Sequence, residues 1–271
     1  MWMQASLRTV DRELADALTG LVARAGEAIL AVAPTALRTR LKTDQTPVTA
    51  ADEAADAVIA EGLARLLPGL AVVSEESGAR AGPLGETFAL VDPLDGTKEF
   101  VAGHDEYTVN LAIVADGSPI AGFIAAPALG LLFRGIVGRG AERLTRDAGA
   151  PAAIRCRPAP AGALTATVSR SHLDPATSAF LDSLGAAARM TCGSALKFCR
   201  VAEGAADIYP RLSPTSEWDT AAGHAIVVAA GGVVTTPAGA PLRYGTWRKG
   251  FAVPGFIAWG DPTRQISALA E

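Results

Sequence analysis

Apolar positions near the start of the chain fall on a helical stripe. Leu14, Leu18, Leu21, Val22, Ala25 and Ile29 recur at three- and four-residue spacing and Pro34 lies beyond them, which predicts a helix. A second helix is predicted within TPVTAADEAADAVIAEGLARLLPG, where Pro47 precedes the start and Thr49 with Asp52 has the pattern of a capping box. LAVVSEE and FALVD read as short buried strands, each ending in acid. From Tyr107 to about Val137 the pattern becomes a meander, with turns at DGSP and PALG. RDAGAPAAIRCRPAPAGA, residues 146–163, reads as an exposed connection. Beyond it LTATVS and ADIYPR are strand-like. DPATSAFLDSL is a helix capped by Asp174 with Pro175 at its first position, SALKFCRVAEG is helical, and WDTAAGHAIVVAAGG is a helix ended by glycines. Strands and helices mix without a strict βαβ rhythm, so an α+β layered sandwich is expected rather than a barrel. The composition shift divides it into halves, 1–150 and 151–271.

Composition narrows the functional classes. Nearly half of the 271 residues are hydrophobic and the net charge is −4, which argues against a nucleic-acid polymer as partner. Cys156, Cys192 and Cys199 match no zinc spacing and cannot form a closed disulfide framework, which points to a reducing compartment. Charges within DRELADALTGLVARAGEAIL break any signal-peptide core, and no uncharged apolar run has the length and flanks of a membrane span, so no integral membrane contact is expected.

The candidate chemistry is acidic. In FALVDPLDGTKEF a core strand ends on Asp92 and Asp95. Close carboxylates raise each other's pKa unless a cation neutralises them, and oxygen-only donors suit Mg²⁺. The Leu94 carbonyl is a further hard donor, and Gly96 lets the backbone turn so that the N–H groups of Gly96 and Thr97 can face an anion. The plainer reading of DPLDG, an Asx-rich turn at a strand end, stays open on these residues alone. Glu75 and Glu76 close the preceding strand, and Asp219 opens a later helix, where capping is the plainer reading. Acids from three element ends can converge on one cleft and hold two metals that clamp an in-line phosphoryl displacement.

With these residues the chain resembles a known family. DPLDGTKEF and WDTAAG are similar to the signature pair of the lithium-sensitive, magnesium-dependent phosphatases of the inositol monophosphatase superfamily. KTDQTPVTAAD, SEES, SRSH, GSALKFCRVAEGAADIYPR and EWDTAAGHAIV resemble its bacterial CysQ-type 3'(2'),5'-bisphosphate nucleotidases, over about Lys42 to Phe256. The resemblance implies an αβαβα sandwich and two or three Mg²⁺ per site. Glu75, Asp92 and the Leu94 carbonyl would hold the first metal; Asp92 would bridge to a second completed by Asp95 and Asp219; Glu76 would help an outer ion. Thr97, hydrogen-bonded to Asp44, would orient the attacking water, although a loop cap is an equal reading of Asp44.

Ser194 and Lys197 lie three apart at a helix start, a ready anion site, and Arg211 could add a bidentate fork. By resemblance these residues, with His172 and Gly193, grip the distal 5'-phosphate and ribose of a nucleotide and leave the 3'-phosphate on the metals. The implied reaction is hydrolysis of adenosine 3',5'-bisphosphate to AMP, with 3'-phosphoadenylyl sulfate a second substrate, in sulfur assimilation. The alternatives are an inositol monophosphatase or broad sugar-phosphate phosphatase and, more remotely, a non-catalytic phosphonucleotide-binding module. A cytoplasmic monomer acting on a small molecule is expected, with peripheral attachment at the inner membrane left open. Glu217 is expected to tune the second metal or to face water, and His224 to pack or to meet solvent rather than catalyse.

Overall fold

The computed structural model describes residues 8–32, 40–41, 47–80, 84–146, 149–170, 173–185, 188–245 and 250–264. The first helix, α1 (Arg12–Ala31), starts where the Asp11 side chain accepts the Leu14 N–H at 2.8 Å. Its stripe of Leu18, Leu21, Val22, Ala25 and Ile29 is fully buried. The short strands β1 (Arg40–Leu41) and β2 (Pro47–Val48) pair with each other and lead into α2 (Ala50–Leu66), where Thr49 and Asp52 form the expected capping box. Both helices cover one face of a sheet.

That sheet has eight strands: β3 (Ala71–Ser74), β4 (Gly78–Arg80), β5 (Thr87–Asp95), β6 (Thr108–Ala115), β7 (Ser118–Ala126), β8 (Leu131–Ile136), β9 (Gly140–Thr145) and β10 (Ala152–Ile154). The order is β10-β9-β8-β7-β6-β5-β3-β4, and all pairings are antiparallel except β3 with β5. A short helix, α3 (Thr97–Val101), follows β5. The second half builds a five-stranded sheet from β11 (Thr165–Ser169), β12 (Ala188–Cys192), β13 (Ile208–Arg211), β15 (Val233–Thr235) and β17 (Phe256–Trp259), in the order β12-β11-β13-β17-β15. A separate pair, β14 (Thr215–Ser216) and β16 (Ala252–Val253), lies at the start of a long helix. The helices of this half are α4 (Pro175–Ser183), capped by Asp174, then α5 (Leu196–Ala202) and α6 (Glu217–Ala229).

Alternation along the strands decides the layers. In β5 and β6, Ala89, Val91, Leu111 and Ile113 point to α1 and α2, whereas Phe88, Leu90, Ala112 and Val114 point to a central core shared with α5 and α6. Tyr209, Phe256 and Ala258 of the smaller sheet join that central core, while Ile208, Ile257 and Trp259 face Leu181 of α4. The result is the layered αβαβα sandwich. The central layer is closely packed: a Cβ built on Gly122 of β7 would lie 2.1 Å from the Ala222 carbonyl oxygen of α6.

Two expectations change. The 146–163 connection is not merely exposed, because β10 extends the large sheet and Arg157 grips Asp207 through two bonds of 2.7 and 2.8 Å. Backbone pairing at a sheet edge leaves little mark in composition. The helix read from Ser194 begins at Leu196, because Ser194 adopts a left-handed φ of 49°. Overpacking the tight contact tests the layer spacing. Gly122→Ala is expected to cost about 1–3 kcal/mol and to lower Tm by roughly 5 °C in thermal unfolding; an unchanged Tm would mean that α6 can retreat freely.

Candidate active site

The acids converge because β5 is irregular at its end. Asp92 and Asp95 are three apart, so a regular strand would send them to opposite faces. The register instead runs from Asp92 opposite Asn110 to Asp95 opposite Thr108, which places one extra residue in β5. This bulge returns both carboxylates to the face of the central core. Asp95 Oδ2 accepts from the Asn110 amide at 3.3 Å, with the Thr108 hydroxyl at 3.5 Å. Asp92 is buried and accepts the Leu94 N–H at 3.1 Å. The parallel neighbour β3 brings Glu75, whose N–H donates to the Val91 carbonyl at 3.1 Å. The first turn of α6 brings Asp219, and its capping role is also real: Oδ2 accepts the Ser216 N–H at 3.1 Å and the Thr215 hydroxyl.

Glu75, Asp92 and Asp219 each present a carboxylate oxygen within 4.8 Å of the others. That triad does not include Glu76, whose N–H donates to the Ser74 hydroxyl at 3.3 Å. Burial, followed by the charges of Glu75, Asp95 and Asp219, raises the Asp92 carboxyl well above its ordinary value. Burial and then Asp219 push Asp95 up to about 7, against the lowering influence of Lys197, Asn110 and Arg211. The buried Asn110 Oδ1 has no hydrogen-bond partner among the described residues. Oxygen-only donors, unbalanced negative charge and an unsatisfied buried oxygen beside them fit a hard divalent cation.

The Thr97 hydroxyl lies 3.1 Å from Asp52 Oδ1 and 3.2 Å from the Leu94 carbonyl. Among the described residues its carboxylate partner is Asp52; Asp44 lies outside them. Asp52 serves twice, since its other oxygen accepts the Thr49 N–H and hydroxyl at 2.8 and 2.7 Å. One turn on, Asp56 accepts the Ser74 hydroxyl at 2.7 Å beside Glu75. The sequence signal for both was a pair of acids four apart on an otherwise apolar helix face; the capping pattern of Thr49 and Asp52 masked it.

Ser194, Lys197 and Arg211, expected to grip a nucleotide, line one cavity. A cavity of about 110 Å³ runs from Asp95 and Asp219 past Ser169, Thr177, Lys197 and Arg211. Arg211 is half-buried on its wall and gives one bond, 3.2 Å, to the Pro214 carbonyl. Lys197 is only 4% exposed, and its ammonium donates to the carbonyls of Ser194 (2.7 Å) and Cys192 (3.3 Å). Ser194 Oγ lies 2.8 Å from the Asp95 carbonyl and 3.0 Å from that of Glu106. Both residues line the cavity, and their polar atoms also brace its wall. Gly96, at φ 93°, leaves room for Ser194 Oγ, which would lie 2.2 Å from a Cβ there. His172 lies outside the described residues.

Glu217 does not face water: it is fully buried and accepts the Gly245 N–H at 2.6 Å. His224 packs as expected, its pKa lowered to about 3 by burial, with Nδ1 2.9 Å from the Tyr244 hydroxyl. Burial raises the thiols of Cys156, Cys192 and Cys199. A larger cleft, about 560 Å³, is remote from the acids; its buried Arg134 spends its guanidinium on Asp16 and Glu142.

The profile of the inositol monophosphatase family matches residues 11–260. The chain belongs to that family. It is 41% identical over 253 residues to the 3'(2'),5'-bisphosphate nucleotidase CysQ of Shigella flexneri, covering 89% of this chain and 97% of that protein. It is 43% identical over 240 residues to the CysQ of Salmonella typhimurium, covering 87% and 95%. The crystal structure of CysQ from Bacteroides thetaiotaomicron superposes with a TM-score of 0.76 at 34% identity, over 92% of this chain and 97% of that one. An inositol monophosphatase structure from Anabaena gives 0.76 at 26% identity, over 96% of each chain.

The raised Asp95 generates a pH dependence. The folded, cation-free protein keeps this proton to about pH 7, whereas the unfolded chain releases it near 3.8. The folded state therefore binds more protons across that window, and its stability declines as pH rises. His224 acts in the opposite sense below about 6.5, so the measurement is a difference. In chelator-treated protein, thermal scans between pH 5 and 8 should show wild type losing Tm relative to Asp95→Asn; parallel curves would refute the assignment.

Proposed function

We propose that this chain is a Mg²⁺-dependent phosphatase that removes the 3'-phosphate of adenosine 3',5'-bisphosphate, releasing AMP and phosphate, with 3'-phosphoadenylyl sulfate as a second substrate. The observation that carries the reading is the convergence of Glu75, Asp92 and Asp219 on one point, with Asp95 beside it, at the end of a cavity walled by Arg211. The names of the CysQ relatives support the substrate. Glu75, Asp92, the Leu94 carbonyl, Asp95 and Asp219 would hold two ions. Bound there, Mg²⁺ would acidify a water and neutralise charge on the phosphate ester.

The chain's own groups supply orientation. Thr97 gives its hydroxyl proton to Asp52 or to the Leu94 carbonyl, which leaves the oxygen's lone pairs to accept a hydrogen bond from the attacking water. The N–H groups of Gly96 and Thr97 would meet the reacting phosphate. Arg211, with donors to spare beyond Pro214, is the cation for the distal phosphate, and binding that remote group orients the reacting one. His172 would join it. Lys197 and Ser194 contribute by holding the wall. The proposed setting is sulfur assimilation, in a cytoplasmic monomer inhibited by lithium.

Phosphate release with Mg²⁺ should favour adenosine 3',5'-bisphosphate over inositol 1-phosphate and fructose 1,6-bisphosphate. Preference for the inositol ester would replace the substrate, and no turnover of any would favour a binding module. Asp95→Ala should reduce turnover of every substrate by about 10³-fold or more. Asp52→Asn and Thr97→Ala should each lower kcat by about 10²-fold with little change in KM, and the double variant should be no worse than either single one. Additive losses would separate the two residues.

A further inference from the structure

Glu106 lies in the turn between α3 and β6, with a side chain 24% exposed. Three bonds converge on it from the other half of the molecule. Its Oε2 accepts the Gly193 N–H at 3.0 Å and the Arg170 guanidinium at 2.6 Å. Its backbone carbonyl lies 3.0 Å from the Ser194 hydroxyl, which also reaches the Asp95 carbonyl at 2.8 Å. The approach is close: a Cβ on Gly193 would stand 2.3 Å from the Glu106 carbonyl oxygen. Ser194 is held left-handed at φ 49°, which persists in a residue other than glycine only where the surroundings over-determine it. Lys197 completes the unit by donating to the Ser194 carbonyl at 2.7 Å.

These contacts join the large sheet, which carries Asp92 and Asp95, to the small sheet and α5, which carry the cavity wall. An amide in place of the carboxylate would still accept the Gly193 N–H but would lose the ion pair with Arg170. We propose that Glu106 is a positioning residue that locks the Gly193–Ser194 turn onto the Asp95 carbonyl, so that the metal-holding turn and the substrate wall move as one body. The proposal rests on reading this cavity as the active site. Small misplacements of reacting groups are costly in rate, so releasing the lock should lower turnover without removing any group that touches substrate.

The test pairs hydrogen exchange on substrate-free protein with steady-state kinetics on adenosine 3',5'-bisphosphate. In Glu106→Ala, amides of both 193–197 and 95–101 should exchange about tenfold faster, with α1 unchanged. Its kcat should fall about tenfold or more, beyond any change in KM. Glu106→Gln should recover most of both, and it carries the test if the alanine variant fails to fold: kcat a few-fold below wild type, with modestly faster exchange in both segments. Faster exchange confined to 193–197, or a kcat within about twofold of wild type in the alanine variant, would overturn the lock. Wild-type protein that hydrolyses none of the three esters would retire the functional reading, while the exchange pattern would still decide whether the two turns are coupled.

Discussion

Like charges held together are the constraint on which the rest of this structure depends. Glu75, Asp92, Asp95 and Asp219 approach one another in a dehydrated place, and burial, with their mutual repulsion added to it, holds protons on Asp92 and Asp95 well above the ordinary carboxylate range. Such an arrangement opposes folding, so the scaffold around it has to be rigid. The sheet supplies that rigidity. Asp92 sits on a strand buried at every position but its two ends and Glu75 extends its parallel neighbour; Asp219 is fastened by the cap of a helix that packs directly on the same sheet. The bulge in β5 is the small irregularity that makes the cluster possible, because without the extra residue Asp92 and Asp95 would face opposite layers.

The central core explains how two sheets cooperate on one site. α6 lies against β7 closely enough to exclude a Cβ at Gly122, and Phe198, Tyr209 and Phe256 fill the space between the layers with edge and stacked contacts. The site opens where this apolar layer ends, and its polar members are tied across the gap: Ser194 to Asp95, Glu106 to Gly193 and Arg170. Lys197 shows the same logic. Its ammonium is buried, so it needs acceptors, and the nearest are backbone carbonyls of the turn it stabilises.

Local signals carried far in this chain. The Thr49 and Asp174 caps act within their own helices, so a few neighbouring residues suffice to predict them. The acidic run after FALV stood out because charge at the end of an apolar strand is unusual, and the family likeness attached roles to it. What escaped involves residues far apart in the chain. Asp52 looked like a capping residue, and it is one, but its second oxygen faces Thr97, 45 positions away. Glu106 had no local pattern; its role exists only through Gly193 and Arg170. Glu217 was open between tuning the second metal and facing water, and it is buried on the Gly245 N–H.

Sequence alone determined the helices, the meander, the identity of the clustered acids and the family to which the chain belongs, because short-range periodicity, caps and contiguous motifs encode them. Tertiary structure decided that Asp52 meets Thr97, that the buried Lys197 ammonium bonds the carbonyls of its own turn, and that one glutamate joins the two sheets. Those outcomes depend on which side chain fills a given volume and which buried donor finds an acceptor, and both are settled only when distant segments pack.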